Sequence, residues 1–223
     1  MQFGLLFKAF LAGSLFAFAT AAQAKKEPPQ EYEGENAGYL VYSVGTIDDT
    51  PYRFSFSYRP TILTTNTKGV AWAGQIEPRL SGAFKLKVKN PDYTGNETGH
   101  VIVRRLPPGK YEVFDFDFAT HALYSGTSYY YSSGVPFSLP FTIRRGEATY
   151  VGRFMRWYDG GKSIGSAMRA IGPFIVADRS STDFSIAKGR FPMGVPFKIE
   201  VTDVSKFRSP VLLTKKPVVS PQR

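Results

Sequence analysis

The stretch LPPGKYEVFDFDF, residues 106–118, decides the fold because a Pro-Gly pair separates two runs of strand-forming residues. Proline presets the backbone at the second position of a type II turn, and glycine enters the positive φ of the third position without strain. The preceding run Val101–Leu106 is rich in β-branched and apolar residues, and Tyr111–Phe118 alternates along its length. This arrangement predicts a β-hairpin, in which two antiparallel strands are joined by a tight turn.

Alternation along the second of these strands predicts its two faces, because successive side chains of a strand point to opposite sides. One face would carry Glu112, Phe114, Phe116 and Phe118, and the other Tyr111, Val113, Asp115 and Asp117. We expect the phenylalanine face to be buried and the two aspartates to be solvated. A calcium site at the aspartates is disfavoured, since calcium takes about six or more oxygen ligands and no dense acidic loop adjoins them.

The rest of the chain has the composition of an all-β protein. Its 19 Phe and 13 Tyr favour strands, and its 21 Gly and 16 Pro favour frequent turns. Two further hairpins are predicted, one from residues 39–47 and 52–58, the other from residues 137–143 and 147–157. Helix-start residues at 180–183 predict one short helix over 184–188. The sequence thus predicts a mostly antiparallel β-sandwich of about eight to ten strands with that helix.

Two segments of the chain carry a family resemblance. VIVRRLPPGKYEVFDFDF (101–118) and PFSLPFTIRRGEATYVGRF (136–154) resemble exported bacterial β-sandwich proteins of unknown function. Their strand, Pro-Gly turn and tyrosine-led strand are also similar, more loosely, to transthyretin-like and carboxypeptidase-regulatory-like modules. The resemblance spans residues 38–154 and implies an Ig-like or prealbumin-like sandwich. It implies no catalytic residue, because those modules are mostly adhesive, structural or regulatory.

The beginning of the chain has the pattern of a secretory signal peptide. Lys8 precedes the apolar run Ala9–Ala22, and Ala22-Gln23-Ala24 matches the small-x-small pattern that signal peptidase cleaves. We therefore predict cleavage after Ala24 and a periplasmic or secreted mature chain. No later stretch approaches the roughly 18 apolar residues of a transmembrane helix, so we expect no transmembrane segment in the mature chain.

Charge and polarity suggest how the chain is divided. Residues 1–24 are the predicted signal peptide, 25–37 a flexible polar leader, 38–204 the β-sandwich domain, and 205–223 a basic flexible tail. The formal net charge of +10 suits anionic partners such as envelope polymers or lipids. The alternative, which we favour, is that the protein is basic without a polyanionic ligand, as many envelope proteins are. Export makes nucleic acid an unlikely partner.

Lys85, Lys87 and Lys89 alternate with apolar residues and form the most regular basic row of the sequence. Such a row is typical of a solvated strand face that guards against edge-to-edge pairing. The alternative is that these lysines contact an anionic surface.

Residues 123–134, LYSGTSYYYSSG, form the candidate binding loop. Tyrosines beside small flexible residues make adaptable contact surfaces. The candidate binding residues are Tyr124, Tyr129, Tyr130 and Tyr131. The alternative is a hairpin tip whose tyrosines pack on the edge of the sandwich.

Several chemistries are excluded or disfavoured. The absence of cysteine excludes disulfides, a thiolate metal site and a lipoprotein anchor. His100 and His121 have no clustered acidic partner, so no zinc site is expected. Gly161–Gly165 matches G-x-S-x-G, but a hydrolase of that type needs a later histidine, and both histidines precede it. We therefore predict no catalytic residue, no metal and no cofactor.

These observations favour a non-enzymatic exported envelope protein that binds or scaffolds a protein or a cell-envelope polymer. One alternative is a carbohydrate-active enzyme of the cell wall, with carboxylates such as Asp115, Asp117 or Asp159 facing one cleft about 5 to 9.5 Å apart. Another is a small outer-membrane β-barrel, which would need regular segments of about ten alternating residues. The strand-like runs are mostly shorter than that, and the lysine row would sit badly in lipid. The oligomeric state stays open.

Overall fold

The computed structural model describes residues 31–47, 53–64, 74–76, 78–81, 85–122, 127–132, 136–157, 174–207 and 212–214. These residues form thirteen strands, the α-helix α1 (Ser180–Ala187) and a 3-10 helix (Val204–Lys206). The strands are β1 (Gly38–Ile47), β2 (Arg53–Pro60), β3 (Gly74–Ile76), β4 (Pro78–Ser81), β5 (Lys85–Val88), β6 (Glu97–Leu106), β7 (Gly109–Ala122), β8 (Thr127–Ser132), β9 (Leu139–Ile143), β10 (Ala148–Trp157), β11 (Phe174–Ala177), β12 (Phe197–Ile199) and β13 (Leu212–Leu213). The prediction of a mainly β protein with one short helix is confirmed for this part of the chain.

The described strands form two main sheets and a separate pair, β4 with β5. The first sheet has the order β13-β11-β10-β1-β6, and β12 also pairs with β10. The second sheet has the order β3-β2-β7-β8, and β9 also pairs with β7. Three of the strand pairs are parallel, namely β1 with β10, β10 with β12 and β11 with β13. The remaining seven are antiparallel.

The largest hydrophobic cluster of described residues lies between the two main sheets. Strand β1 is buried along nearly its whole length because the second sheet covers one of its faces and the α1 region covers the other. Phe116 of β7 stacks on Phe174 of β11, with ring centroids 4.4 Å apart and both side chains 1% exposed. Aromatic rings bury large apolar areas, so this pair is a major contact between the sheets.

The Pro-Gly turn connects the two sheets and does not form a hairpin. Strand β6 pairs with β1 in the first sheet, whereas β7 pairs with β2, β8 and β9 in the second. Tyr111, fully buried at the start of β7, donates a hydrogen bond from its hydroxyl to the Pro107 carbonyl at 2.7 Å. The predicted hairpin is therefore wrong. A short turn can join two paired strands of a hairpin or two strands in different sheets, so the local sequence does not decide between these arrangements.

A β-bulge at Phe114 interrupts the alternation of β7. Ser57 of β2 pairs with Asp115, and the next residue, Tyr58, pairs with Val113. Phe114 consequently has no residue opposite it. An extra residue of this kind reverses the face to which the following side chains point.

The bulge brings side chains from both halves of β7 into the same core. Tyr111 and Val113 before it and Phe116 after it are all at most 1% exposed. Phe114 is half-buried, with the guanidinium carbon of Arg59 4.4 Å from its ring centroid. The predicted burial is thus confirmed at Phe116. It is wrong for Tyr111 and Val113, which the alternation placed on the outer face, and Phe114 is only half-buried.

The other two predicted hairpins are also connections between sheets. Strands β1 and β10 lie in the first sheet, whereas β2 and β9 lie in the second. All four strands contribute side chains to the shared core. Both hairpin predictions are wrong, because strands adjacent in sequence face each other across the core instead of pairing edge to edge.

Helix α1 begins one turn before the predicted residues 184–188. The Asp183 N–H donates to the Arg179 carbonyl at 2.9 Å, so the four residues predicted as helix-start chemistry are already helical. Within the described ranges, no helix has the length and apolar character needed to cross a bilayer.

Two segments that the sequence predicts to be flexible contain described residues. Leu212–Leu213, inside the predicted tail, form β13 beside β11, and Leu212 is buried. In the predicted leader, the Tyr32 N–H donates to the Arg105 carbonyl at 3.3 Å. At these residues the chain contacts the first sheet.

Candidate binding cleft

A second β-bulge, in β10, places two polar side chains on the face of the first sheet that α1 covers. Val41 pairs with Tyr150 and Ser43 with Arg153, so β10 has one more residue than β1 between these pairs. Gly152 in the bulge has a φ of +123°, which other residues rarely adopt. The extra residue turns Tyr150 and Arg153 to the same face, whereas simple alternation would separate them.

Asp183 of α1 is the centre of a buried polar cluster. It is fully buried and accepts hydrogen bonds from Ser43 Oγ, from the Tyr150 hydroxyl at 2.6 Å and from the Arg153 guanidinium. These three donors are themselves at most 4% exposed. A buried carboxylate is tolerated only when its charge and lone pairs are satisfied, and the three donors do this. The cluster therefore ties α1 to β1 and β10.

Arg153 extends this cluster toward the surface. Its Nη1 donates to Glu97 Oε2 at 2.7 Å, and Arg179 Nη2 donates to Glu97 Oε1 at 2.7 Å. Its guanidinium carbon also lies 3.7 Å from the centroid of the Tyr93 ring. The network thus runs from buried Asp183 to exposed Arg179 without leaving a charge unpaired.

Two facing glycines make room for the Tyr93 side chain. Gly45 of β1 pairs with Gly99 of β6, and a Cβ on either residue would clash with the Tyr93 hydroxyl. That hydroxyl donates to the Val44 carbonyl at 3.0 Å. The glycine pair therefore allows the loop before β6 to lie on the sheet.

Next to this network, the first sheet forms an open cleft of about 400 Å³. Its described lining residues are Glu31, Tyr39, Val103, Arg105, Arg190 and Pro192. Strand β6 and the loop after α1 each contribute two of them, and the rest come from β1 and the segment before it. Tyr39 packs against Phe191 of the same loop, with ring centroids 5.9 Å apart. The cleft thus combines an edge strand, an aromatic side chain and two cations.

The two arginines of the cleft differ in their partners. Arg190 donates two hydrogen bonds to Asp92, at 2.5 and 3.1 Å, which compensate its charge. Arg105 donates from Nη2 to the Gly34 carbonyl at 3.2 Å. Among the described residues Arg105 has no carboxylate partner, and its buried Nε–H has no acceptor. Within the described ranges, the positive charge of Arg105 therefore has no carboxylate paired with it.

Four partly buried carboxylates have pKa values below their ordinary range. At Asp92, Glu97 and Glu200 burial raises the pKa, but hydrogen bonds, foremost from arginine side chains, lower it by more. At Glu112 the hydrogen bond from the Ser138 hydroxyl holds the pKa low against the effect of burial. All four groups are therefore ionised acceptors in neutral solution.

These lowered pKa values predict acid destabilisation. A carboxylate whose pKa is lower in the folded than in the unfolded state contributes stability that is complete above its unfolded pKa and lost as the pH falls through its folded pKa. We expect the free energy of unfolding to be flat near neutral pH and to fall below about pH 4.5, the ordinary pKa of Glu97. Urea unfolding over a pH series measures it, with Glu97→Gln as the comparison. The variant should be less stable at pH 7, and the difference should shrink in acid; parallel curves would contradict this role for Glu97.

Three of the four predicted binding tyrosines lie in the second sheet. Tyr129–Tyr131 lie in β8, an edge strand of the second sheet, and Tyr124 lies outside the described residues. Lys85 and Lys87 lie in β5, and Lys89 follows it with an exposed side chain. The tyrosines and the lysines therefore belong to different sheets, and binding by either set stays a prediction.

None of the acidic and histidine candidates is among the described lining residues of the cleft. Asp115 and Asp117 lie in β7, and Asp115 Oδ1 accepts a hydrogen bond from the Phe116 N–H at 2.9 Å. Asp159 lies outside the described residues. His100 Nδ1 lies 3.8 Å from Asp92, and no group of three potential metal ligands occurs within the described ranges. A paired-carboxylate site stays a prediction.

Sequence reasoning missed both the polar cluster and the cleft. Arg153 lies 30 residues from Asp183 and 56 residues from Glu97, so no local motif joins them. The one available signal was an acidic residue near the start of a predicted helix, where acids commonly stabilise the helix dipole. Arg105 looked like one of many basic residues in a basic chain.

Comparison with known proteins assigns no family. No family model and no curated protein matches the chain. Among solved structures, a leucine-rich repeat protein from Bacteroides thetaiotaomicron matches with 9% identity and a TM-score of 0.31. The match covers 54% of this chain and 14% of that protein, and a likeness this weak carries no argument about fold or function.

Proposed function

We propose that this protein is a non-enzymatic, exported envelope protein that binds or scaffolds a partner through the cleft of the first sheet. The observation that carries the proposal is the open cleft, which Tyr39, Val103 and Arg105 line. A general acid in glycoside hydrolysis needs a raised pKa, and four partly buried carboxylates, Asp92, Glu97, Glu112 and Glu200, have lowered pKa values instead. Groups held ionised in this way stabilise the fold and are poor proton donors.

The shape and the lining of the cleft favour a binding role. The cleft is open, it has an aromatic side chain in its lining, and it contains Arg105, which has no carboxylate partner among the described residues. A recognition site is typically a concave surface with a few convergent polar groups, and the cleft has these features. The proposed partner is a protein or an envelope polymer that carries negative charge.

Export is supported by the signal-like pattern that ends at Ala24. Expression of the full chain with a C-terminal tag in a bacterial host should yield periplasmic or secreted protein whose N-terminal residue is Lys25. Intact-mass measurement of the fractionated protein checks both points. Ala24→Lys is the matched control, since it should block cleavage at that bond. Cytoplasmic protein with an intact N-terminus would contradict the proposed export.

We also propose that the two sheets form an Ig-like or prealbumin-like sandwich. The hydrogen bond from the Tyr111 hydroxyl to the Pro107 carbonyl supports this proposal, because Ig-like sandwiches use a tyrosine in this way at a corner between sheets. Tyr111→Phe keeps the ring and removes only the hydroxyl. An experimental structure of wild type and variant tests the assignment, and two sheets that do not face each other would contradict it.

The enzyme alternative is tested directly with the full-length protein. Purified cell-wall polysaccharide is incubated with wild type, Asp115→Asn and Asp117→Asn, and released fragments are measured by mass spectrometry. The proposed function predicts no release above a buffer control. Release by wild type that either variant abolishes would overturn it.

A further inference from the structure

Strand β6 is an edge of the first sheet, and alternate residues of β6 direct their backbone groups away from β1. Gly99 shows the direction, because its N–H and C=O both bond to Tyr93 beyond the edge. By the alternation of antiparallel pairs, Val101, Val103 and Arg105 have the same orientation. Outward groups of this kind are a template for a further strand.

The edge is closed at Val101. Its N–H donates to Asp92 Oδ2 at 2.9 Å, and its carbonyl accepts a hydrogen bond from the Arg190 guanidinium. Because the same guanidinium is paired with Asp92, both backbone groups of Val101 are held by one ion pair. No additional strand can pair at this residue while that ion pair is intact.

The edge is open at Val103. At Arg105 the carbonyl accepts from the Tyr32 N–H at 3.3 Å, which closes the far end of the gap. Between these ends, the Val103 N–H, the Val103 carbonyl and the Arg105 N–H have no partner among the described residues. Val103 and Arg105 both line the cleft. The gap in the strand ladder and the cleft therefore coincide.

Charge at this gap favours an anionic group. Arg105 has no carboxylate partner within the described ranges, and the buried position of its Nε–H weakens its access to water. Glu31, the acidic residue of the described lining, forms an ion pair with Arg104, in which Glu31 Oε1 lies 3.5 Å from Arg104 Nη1. Hydrogen bonds between a guanidinium and a carboxylate are among the stronger ones in proteins. A carboxylate beside Arg105 would compensate its charge.

We propose that the open edge of β6 binds an extended acidic segment of another protein by β-strand addition. The inference rests on the proposed binding function and names its partner class. The segment pairs its backbone with the N–H and carbonyl of Val103 and with the N–H of Arg105. It places an aspartate or glutamate side chain beside the Arg105 guanidinium. Strand rise gives about 13 Å from Val101 to Arg105, which is the length of about four to five residues.

The backbone groups distinguish this partner from an anionic polymer. A polysaccharide or a lipid headgroup could bind Arg105 through charge, but it has no peptide N–H and C=O spaced to continue a strand ladder. Loss of the Val103 N–H should therefore weaken a peptide partner and leave a simple polyanion unaffected.

The test uses a displayed library of random octapeptides with blocked ends, selected on the full-length protein. Enriched sequences should alternate β-branched residues with aspartate or glutamate. The best binder and its amide counterpart, with each acid replaced by asparagine or glutamine, are then labelled with a fluorophore and titrated by anisotropy. We expect the acidic peptide to bind about tenfold or more tightly than the amide peptide.

Two variants with matched controls locate the site. Val103→Pro removes the outward N–H and fixes the backbone φ, which edge strands tolerate, and Val103→Ala keeps that N–H while it shortens the side chain. Arg105→Met removes the charge at similar length, and Lys110→Met removes an exposed charge from the second sheet. The first variant of each pair should weaken the acidic peptide about tenfold or more, and its control should not. If Val103→Pro does not fold, the Arg105 pair decides.

Several outcomes would overturn the inference. These are no enrichment, or enriched peptides that bind Val103→Pro and Arg105→Met as tightly as wild type. Tighter binding after deletion of residues 25–30 would make the chain's own leader the occupant. A concentration-dependent dimer that Val103→Pro abolishes would make it a second copy. A negative result in any of these binding experiments does not change the results expected from the export test or from the polysaccharide-release test. The proposed function and this inference can therefore be refuted separately.

Discussion

Replacing Asp183 with asparagine is expected to lower the free energy of unfolding by about 3–5 kcal/mol, the usual effect of removing one partner from a buried ion pair. Asp183 is fully buried, and it neutralises Arg153, which is 4% exposed. The amide would leave that guanidinium buried beside a neutral group. For a chain of this size the melting temperature should fall by about 6–20 °C. Urea unfolding and a thermal scan followed by circular dichroism measure both quantities.

The matched control for this prediction is Glu35→Gln. Glu35 is exposed, so the same change from carboxylate to amide should shift stability by about 0.5 kcal/mol or less. Combining Asp183→Asn with Arg153→Met removes the uncompensated charge, and the double variant should be less unstable than the sum of the two single variants. Equal effects at Asp183 and Glu35 would mean that the cluster does not hold α1 on the sheet.

Replacing Phe116 with alanine is expected to cost about 3–5 kcal/mol, whereas the same change at Phe114 should cost about 1 kcal/mol or less. Phe116 is 1% exposed and stacks on Phe174 between the two sheets, while Phe114 lies half-buried under Arg59. The two residues are matched in type and are two positions apart in one strand. Parallel urea titrations measure the difference.

This pair of variants separates two descriptions of β7. Simple alternation puts both phenylalanines in the core and predicts similar large losses. The bulge at Phe114 puts only Phe116 there. Similar losses of several kcal/mol at both positions would show that the bulge is absent in solution.

Local patterns in the sequence were sufficient to identify most of the elements around the cleft. The extended runs that became β1, β6, β7 and β10 are visible as alternating or β-branched segments, and the short helix follows helix-start residues. These signals are strong because they depend on neighbouring residues only. The same patterns failed on strand pairing, because a turn such as Pro108-Gly109 is compatible with a hairpin and with a crossing between sheets.

The two bulges lay beyond sequence reasoning for a related reason. Each depends on how many residues the neighbouring strand has between two paired positions, as at Gly152 and Phe114. The sequence of either strand alone does not show how many residues the other strand has between the paired positions. Gly152 was visible as a glycine inside a strand, a weak sign of a bulge, but the consequence that Tyr150 and Arg153 share a face requires the register with β1.

By itself, the sequence determined that the described part of the chain is mainly β with a short helix after residue 179, and that cysteine chemistry is absent, because composition and short-range periodicity control these properties. Only the tertiary structure decided which strands pair and which acids meet which bases. The strand register and the packing of α1 on the first sheet bring Asp183 next to Arg153. They also place the open edge at Val103 beside Arg105 and Arg190 in the cleft. Those contacts join residues distant in the chain, so they stabilise the protein only after the sheets have assembled.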